Sequence, residues 1–271
     1  MEELARLVAG QARFHLISKG RHTFYRIWQP EDTTVLKIYG SEPVWRREKR
    51  AIESLTGVKG LPRILNAGTI EGTTWVEFAD AGRWTLDSMP ENRHMARQAG
   101  EILRSVHQAD PGALSKLGGG MDQAWIESDY SSTFERIGRY RRRLKLPAEL
   151  IERAKAAPRP LASEPRAAHA RPHPRKFVVS DGGEVTLIDW AWSRLAPPEW
   201  DFSEAVWLCK IRVGAEAAQA MSDGYGKTMT DDAMAAWTVY HAGMMLLHEA
   251  ETRAGPLDDL NYIVDQIAAM I

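Results

Sequence analysis

A chain of 271 residues, 44% hydrophobic and 26% charged, is long enough to bury one large core or two lobes, as ordinary globular proteins do. Its formal net charge of −1 excludes a general electrostatic affinity for nucleic acid or for an anionic membrane surface. Cys209 is the only cysteine, which excludes an internal disulfide and favours a reducing, cytoplasmic setting.

The start of the chain does not predict a secretion signal, because residues 1–6 carry two acids and no apolar stretch. Nowhere does an apolar run approach the roughly 18 residues that a membrane span needs. We therefore expect neither a membrane partner nor a nucleic-acid partner.

Residues 12–78 alternate short apolar runs with turns, which is typical of an antiparallel sheet. The predicted elements, in chain order, are strands at 13–17, 23–28 and 34–39, a helix at 45–55, and strands at 62–65 and 73–78. Within the helix, Ala51, Ile52 and Leu55 recur at helical spacing among charged residues. This pattern indicates an exposed amphipathic helix.

After about residue 90, helical periodicity dominates. The predicted helices cover 96–107, 131–145, 147–157 and 231–251, and two short strands end at Val179 and Ile188. Residues 118–120 are three glycines with no Lys-Ser/Thr helix after them, so they predict a flexible link and not a P-loop. We expect a β-rich lobe over residues 1–80 and a helical lobe over 81–271, with a connector near 79–84.

Lys37 and Glu48 are candidates for a phosphate-binding pair. Lys37 lies in a predicted strand and Glu48 in the helix that follows. A glutamate that pairs with such a lysine holds its side chain straight, so that the ammonium can contact phosphate oxygens. A lone strand lysine is usually only solvated. The pairing with a following amphipathic helix and the later Ile-Asp-Trp sequence at 188–190 together favour the functional interpretation.

Two further positions could contact a nucleotide. Gly20 is the single glycine of the turn at 18–22, where backbone amides could face a phosphate, although a plain hairpin turn explains it equally well. Asp189 ends a predicted strand, where its carboxylate could bind Mg²⁺ or simply cap the next turn.

Asp201, which follows two prolines, could cap the apolar helix after it or brace the loop at 169–176.

With these residues placed, the chain resembles the aminoglycoside phosphotransferase and choline kinase-like family, a branch of the protein-kinase fold. The residues that carry the resemblance are Lys37, Glu48, the Leu103-to-His107 segment, the loop frame His169, His173 and Pro174, Asp189 in Leu-Ile-Asp-Trp, and Asp201. The resemblance implies an α+β, two-lobed protein-kinase-like fold with a small antiparallel β lobe and a larger helical lobe. It also implies a nucleotide cleft between the lobes.

The loop departs from the pattern of that family, His-Gly-Asp-x-His-x-x-Asn. Ala170 replaces the glycine, Arg171 the catalytic aspartate and Lys176 the metal-binding asparagine. In one interpretation the two cations disable transfer, because a guanidinium cannot act as a base near neutral pH and cations repel a divalent metal. In the other they replace the charge of the metal and hold the phosphates, with His169, His173 or Asp181 assisting.

The resemblance predicts a divergent, nucleotide-dependent phosphotransferase that acts on a hydroxyl of a small molecule or a peptide. ATP or GTP would be the cofactor, with weakly bound Mg²⁺ at Asp189. The alternative is a catalytically silent pseudokinase that binds a peptide or a partner enzyme. We also predict that Arg171 projects toward Asp189, and that Arg171 or Lys176 forms an ion pair with Asp189 when no metal is bound.

The acceptor pocket is expected in the helical lobe, at about residues 120–160 and 230–271. These regions contain several aromatic residues, and their acids could meet a cationic substrate, although solvated acids are the simpler interpretation. These residues are Trp125, Tyr140, Trp237, Tyr240, Tyr262, Asp122, Glu127, Asp129, Asp231 and Asp232.

Overall fold

The computed structural model describes residues 1–89, 92–110, 112–117, 120–252 and 261–271. The glycine link predicted at 118–120 falls largely outside this part, since Gly118 and Gly119 are not among the described residues. Part of the predicted acceptor region, residues 253–260, also lies outside it.

The N-terminal part of the chain forms an antiparallel five-stranded sheet with two helices. Its elements are α1 (Glu2–Ala9), β1 (Arg13–Lys19), β2 (His22–Trp28), β3 (Thr33–Tyr39), α2 (Glu42–Ser54), β4 (Ile64–Ile70) and β5 (Thr73–Ala79). The strand order in the sheet is β1-β2-β3-β5-β4. The five predicted strands and the predicted helix are confirmed, with ends that differ by a few residues. The short helix α1 is an element that the strand and helix patterns did not predict.

Alternation along β3 separates the two faces of this sheet. Leu36 and Ile38 are fully buried in a cluster that Leu4 of α1 helps to cover. Lys37 points to the opposite face, because successive side chains of a strand alternate. Its neighbours across the ladders are Phe24 on β2 and Val76 on β5, so it lies in the middle of the sheet.

The C-terminal part is mainly helical. Its elements are β6 (Trp84–Thr85), α3 (Arg93–Gln108), α4 (Gln123–Tyr140), α5 (Ala148–Ala156), β7 (Arg166–Ala168), β8 (Phe177–Val179), β9 (Val185–Leu187), β10 (Arg194–Ala196), α6 (Pro198–Arg212), α7 (Ala215–Tyr225), α8 (Asp231–Thr252) and α9 (Asn261–Met270). Strands β6, β8 and β9 form one small antiparallel sheet, and β7 pairs with β10.

The helix expected over 131–145 lies earlier, at Gln123–Tyr140. The Asp122 carboxylate accepts a hydrogen bond of 2.8 Å from the backbone N–H of Trp125 and so caps the helix at its true start. Helices α7 and α9 were not predicted. Helix α7 packs against α3 through glycines: a Cβ on Gly100 would lie 2.0 Å from the carbonyl oxygen of Met221.

Two large apolar clusters fill the molecule below the sheet. One joins α2, α3, α6 and α7 with the strands β8 and β9, and the other joins α4, α5, α8 and α9 around Trp200 and Trp237. Within the described ranges, no helix combines the length and the apolar character that crossing a bilayer requires.

Candidate active site

A cleft of about 610 Å³ lies between the β-rich part and the helical part. Residues 17–22, where β1 turns into β2, line it from one side, and residues 78–85, from the end of β5 to β6, line it from another. Its apolar lining includes Val35, Phe78, Val178 and Ile188. A volume of this size is typical of sites for nucleotide-sized ligands.

Lys37 is the most deeply buried cation of the cleft, with 1% of its surface exposed. Its ammonium nitrogen lies 2.6 Å from Oε2 of Glu48 and 3.0 Å from Oδ1 of Asp189. Burial alone would lower the pKa of Lys37, but the two carboxylates raise it, so the side chain remains charged. The predicted pairing of Lys37 with Glu48 is present, and Asp189 shares the same ammonium.

Lys176 neutralises the other oxygen of Asp189. Its ammonium nitrogen lies 3.0 Å from Oδ2, so each carboxylate oxygen of Asp189 has one ammonium partner. Burial would raise the pKa of the Asp189 carboxyl, but Lys37 and Lys176 outweigh burial and hold the pKa well below its usual range. The ion pair predicted for the metal-free protein is therefore confirmed for Lys176.

Local backbone contacts place this cluster. The N–H of Ile188 donates to the carbonyl oxygen of Lys176 at 2.9 Å, which ties the end of the loop to the end of β9. Asp189 then takes the left-handed conformation, with φ of 67°. The next N–H, of Trp190, donates to Oε1 of Glu48 at 3.2 Å. Strand end, loop and helix α2 thus fix the positions of Asp189, Lys176 and Glu48, and β3 presents Lys37 to them.

His169 holds the loop and does not face the cleft. It is fully buried, its Nε2–H donates to the carbonyl oxygen of Ile188 at 3.0 Å, and its Nδ1 accepts from the N–H of Arg171 at 3.3 Å. Burial, and secondarily the charge of Lys176, lowers the pKa of His169 to about 4. The ring is neutral near pH 7 and both of its nitrogens are engaged, so neither is free to take a proton from a substrate.

Asp201 braces the loop from below. Its carboxylate accepts hydrogen bonds from the backbone N–H groups of His169 at 2.6 Å and Ala170 at 2.7 Å, and it lies 3.3 Å from Nε2 of His107. The bracing interpretation is confirmed. The capping interpretation is wrong, because α6 begins at Pro198 and Asp201 lies within its first turn, with Pro197 at the cap position.

Arg171 does not project toward Asp189, and this expectation is wrong. Its guanidinium carbon lies 5.1 Å from the ring centroid of Trp192. The physical reason is that Lys37 and Lys176 already occupy both oxygens of Asp189. A planar guanidinium stacks well on an aromatic face, and Trp192 offers that face nearby.

The remaining two predicted site residues are His173, which contacts Arg175, and Gly20, which lines the cleft. The Nδ1 atom of His173 accepts from the backbone N–H of Arg175 at 3.1 Å, and burial followed by the charge of Arg175 lowers the pKa of His173 to about 4. Gly20 lines the cleft with the rest of its turn. A Cβ there would meet nothing within 4 Å, so packing does not require glycine.

Several basic side chains of the cleft were not among the predicted site residues, and one of them, His22, is neutral near pH 7 because burial lowers its pKa to about 4. They are Lys19, Arg21, His22, Arg26, Arg83 and Arg175. Arg26 is held by Asp80 at 2.7 Å and donates to the carbonyl oxygen of Gly82 at 2.8 Å, which joins β2 to the connector. The basic residues on both sides of Gly20 were the available signal, since they flank a turn that lines the cleft.

The donor set does not suit a divalent metal. Among the described residues, no group of three or more His, Cys, Asp or Glu side chains converges on one point. Asp189 is the single predicted ligand, and both of its oxygens already contact ammonium groups. Mg²⁺ prefers several oxygen ligands, so the protein offers it a poor site. A nucleotide suits the cleft better, because apolar walls and cations match a base and a polyphosphate.

Comparison with known proteins agrees with this architecture. The model of the family described as "Phosphotransferase enzyme family" matches residues 13–240. A thermostable mutant of the aminoglycoside phosphotransferase APH(4)-Ia has a TM-score of 0.72 at 15% identity, with 100% of this chain and 98% of that chain covered. The chain has no match among curated proteins.

Two ligand complexes have the same fold. The spectinomycin phosphotransferase APH(9)-Ia with ADP and spectinomycin has a TM-score of 0.64 at 13% identity, covering 99% of this chain and 96% of that one. The GDP and kanamycin complex of APH(2")-IIia has a TM-score of 0.69 at 13% identity, covering 95% and 92%. The predicted kinase-like fold with an antiparallel sheet and a helical lobe is confirmed. Because the family model covers most of its length, the chain belongs to the phosphotransferase enzyme family.

Proposed function

We propose that this protein is a nucleotide-dependent phosphotransferase that transfers a phosphoryl group to a hydroxyl of a small molecule. The observation that carries the proposal is the convergence of Lys37 and Lys176 on Asp189 inside the cleft. Two ammonium groups in one cleft supply positive charge of the kind that a polyphosphate needs. The ADP and GDP in the complexes of the related folds support a purine nucleotide, ATP or GTP.

The nucleotide would lie with its base against the apolar lining near Val35 and Phe78 and with its phosphates toward Lys37 and Lys176. Arg21 and Arg175 also line this cleft and add positive charge. Arginine and lysine side chains are good ligands for phosphate oxygens. In this arrangement the ammonium of Lys176 supplies charge where the family has a metal ligand, and no divalent ion is required.

In the proposed reaction, the bond between the γ-phosphorus and the bridging oxygen breaks, and the hydroxyl oxygen of the acceptor bonds to that phosphorus. The hydroxyl proton passes to solvent, and the nucleoside diphosphate leaves with the bridging oxygen. Phosphoryl transfer has a loose transition state and depends chiefly on positioning and charge. It can therefore proceed slowly without the carboxylate base that Arg171 replaces.

A second candidate is a silent nucleotide-binding protein. The observation that favours it is the position of Arg171, which contacts Trp192 where the family has its catalytic aspartate. A guanidinium is protonated at all physiological pH values and cannot accept the hydroxyl proton. Such a protein would bind a nucleotide in the same cleft without transfer.

One double substitution separates the two candidates. Arg171→Asp with Lys176→Asn restores the pattern of the family, and Arg153→Asp with Lys155→Asn on helix α5 makes the same charge changes far from the cleft. Nucleotide binding is measured by calorimetry with and without Mg²⁺, and turnover by release of nucleoside diphosphate in the presence of hydroxylated small molecules.

If the cations serve the native reaction, the double variant loses native turnover by on the order of a hundredfold, and the control pair does not. If the native protein is silent, the double variant gains Mg²⁺ binding and some turnover. A native protein that binds no purine nucleotide, or a Lys37→Met variant that binds it as tightly as the native protein does, contradicts both candidates.

A further inference from the structure

Four arginines converge on the short segment after Asp189. The guanidinium carbons of Arg21 and Arg171 lie 5.9 Å and 5.1 Å from the ring centroid of Trp192. The Nε of Arg194 donates to the carbonyl oxygen of Trp192 at 3.3 Å. These arginines come from the β1–β2 turn, the loop after β7 and strand β10, so only the tertiary structure brings them together.

The fourth cation comes from helix α2. The Nη1 of Arg47 donates to the carbonyl oxygen of Ala191 at 3.4 Å, beside the same segment. Burial lowers the pKa of Arg194, and the charges of Arg47 and Arg171 lower it further, which shows that the three cations lie within electrostatic reach of one another. We call Arg21, Arg47, Arg171 and Arg194 the arginine cluster.

No carboxylate forms an ion pair with this cluster in the part of the chain that the structure describes. The buried Glu204 lies within electrostatic reach of Arg171, but burial raises its pKa to about 7, so it is only partly ionised near neutral pH. None of the four guanidinium groups has an acidic partner within 4.0 Å there, although many exposed arginines elsewhere do. Asp129 is the acid that acts on Arg194, and the hydroxyl of Tyr240 donates to its carboxylate at 2.6 Å. Like charges that are held together without a direct ion-pair partner repel one another, and an anion would relieve that repulsion.

The cluster adjoins the phosphate end of the cleft. Trp192 lies three residues after Asp189, and Arg171 belongs to the loop that presents Lys176. Arg21 lines the cleft and also contacts Trp192, so it connects the two regions. An acceptor whose hydroxyl approaches the transferred phosphoryl group from this side would meet the arginines with the rest of its surface.

We propose that the arginine cluster binds an anionic group, a phosphate or a carboxylate, on the acceptor. This inference rests on the proposed function, because only a phosphotransferase has an acceptor. It adds the substrate class, a hydroxylated small molecule that carries negative charge. Paired arginines match the flat, forked shape of such oxyanions. A polyamine substrate such as an aminoglycoside would meet like charge here, which also argues against the cationic substrate that the sequence suggested.

The test uses the indole N–H signal of Trp192 in nitrogen-15 correlation spectra, assigned by its loss in Trp192→Phe. Inorganic phosphate and acetate are titrated separately into the native protein, with and without a saturating non-hydrolysable ATP analogue. We expect a saturable shift of this signal that persists with the analogue present. The anion with the lower dissociation constant identifies the group that the cluster prefers.

Arg47→Gln and Arg194→Gln should each weaken the anion affinity, and together they should reduce it at least about tenfold, because each removes a charge-assisted hydrogen bond. Arg153→Gln on the exposed face of α5 is the matched control and should titrate like the native protein. Thermal melts of each variant show whether it is folded, and Arg47→Lys should recover part of the affinity if charge is what matters.

The proposal is overturned if the Trp192 signal does not saturate below about 50 mM of either anion, a very weak affinity on the usual scale. It is also overturned if the ATP analogue abolishes the shift, since the site would then belong to the nucleotide. Binding of the analogue is measured in parallel by calorimetry. A protein that binds the anion but no nucleotide refutes the proposed function alone, and one that binds only nucleotide refutes this inference alone.

Discussion

The ammonium of Lys176 lies 3.0 Å from the Asp189 carboxylate, on the oxygen that Lys37 does not contact. An internal cation therefore competes with any metal for Asp189. A pair of opposite charges at this distance attracts by roughly 5–6 kcal/mol at an effective dielectric near 20, before desolvation is deducted.

The first prediction concerns metal dependence. Lys176→Asn removes the competing ammonium and supplies an amide oxygen, so Mg²⁺ should strengthen nucleotide binding to this variant by roughly tenfold. In the native protein, nucleotide affinity should change little when Mg²⁺ is added. Calorimetric titration with and without Mg²⁺ measures both, with Lys155→Asn as the control. Tight, strictly Mg²⁺-dependent binding by the native protein would contradict the competition.

The second prediction concerns the backbone of the loop. Ala170 has φ of 63°, a conformation that an alanine adopts only with strain. Ala170→Gly should raise the free energy of unfolding by about 0.5–1 kcal/mol, because relief of the strain exceeds the entropy cost of glycine. The control is Ala168→Gly in β7, which should lower stability. Urea denaturation compares the two, and a loss of stability in Ala170→Gly would show that the backbone is not strained.

The third prediction concerns the brace. Asp201→Ala leaves the N–H groups of His169 and Ala170 without their acceptor and should destabilise the protein by about 3–5 kcal/mol. The exposed ion pair of Glu216 with Arg93 provides the control, since Glu216→Ala should cost less than about 1 kcal/mol. Asp201→Asn keeps one acceptor oxygen, so its loss of stability should lie between those of Asp201→Ala and Glu216→Ala. Equal losses for Asp201→Ala and Glu216→Ala in denaturant titrations would refute the bracing role.

The fourth prediction concerns pH. Burial raises the pKa of Glu204 to about 7. The charges of Arg171 and Lys176 lower this pKa and the charge of Asp201 raises it, but burial has the largest effect. One carboxylate oxygen of Glu204 has no hydrogen-bond partner. Between its ordinary pKa of 4.5 and about 7, the folded protein binds the proton more strongly than the unfolded chain does. The contribution of Glu204 to stability therefore falls as pH rises through this window, by at most about 3 kcal/mol.

Glu204→Gln should abolish this contribution, so the stability difference between variant and native protein should grow from pH 4.5 to about 7 and then stay constant. All other titratable groups are the same in both proteins, so their contributions cancel and the difference reports on Glu204 alone. Denaturant titrations at several pH values measure it, and Glu149→Gln on the exposed side of α5 should show no such trend. A difference that is independent of pH would show that Glu204 is ionised throughout.

Local pattern was enough to predict the β-rich lobe. Alternating residues in β3 and helical spacing in α2 each report which face is buried, so Lys37 and Glu48 could be placed on elements that meet. The motif spacing around Asp189 likewise indicated the family. Helix α7 escaped prediction because its packing depends on close approach at Gly100, a contact with a distant helix that no local periodicity records.

The sequence by itself determined which charges are present: Arg171 and Lys176 stand where an aspartate and an asparagine belong in the family pattern, whatever the fold does with them. Only the tertiary structure decided how they are used. Lys176 reaches Asp189, while Arg171 turns to Trp192, because both oxygens of one carboxylate were already occupied. The arginine cluster could not be foreseen, since its members come from four separate segments and their repulsion depends on distances that exist only in the folded chain.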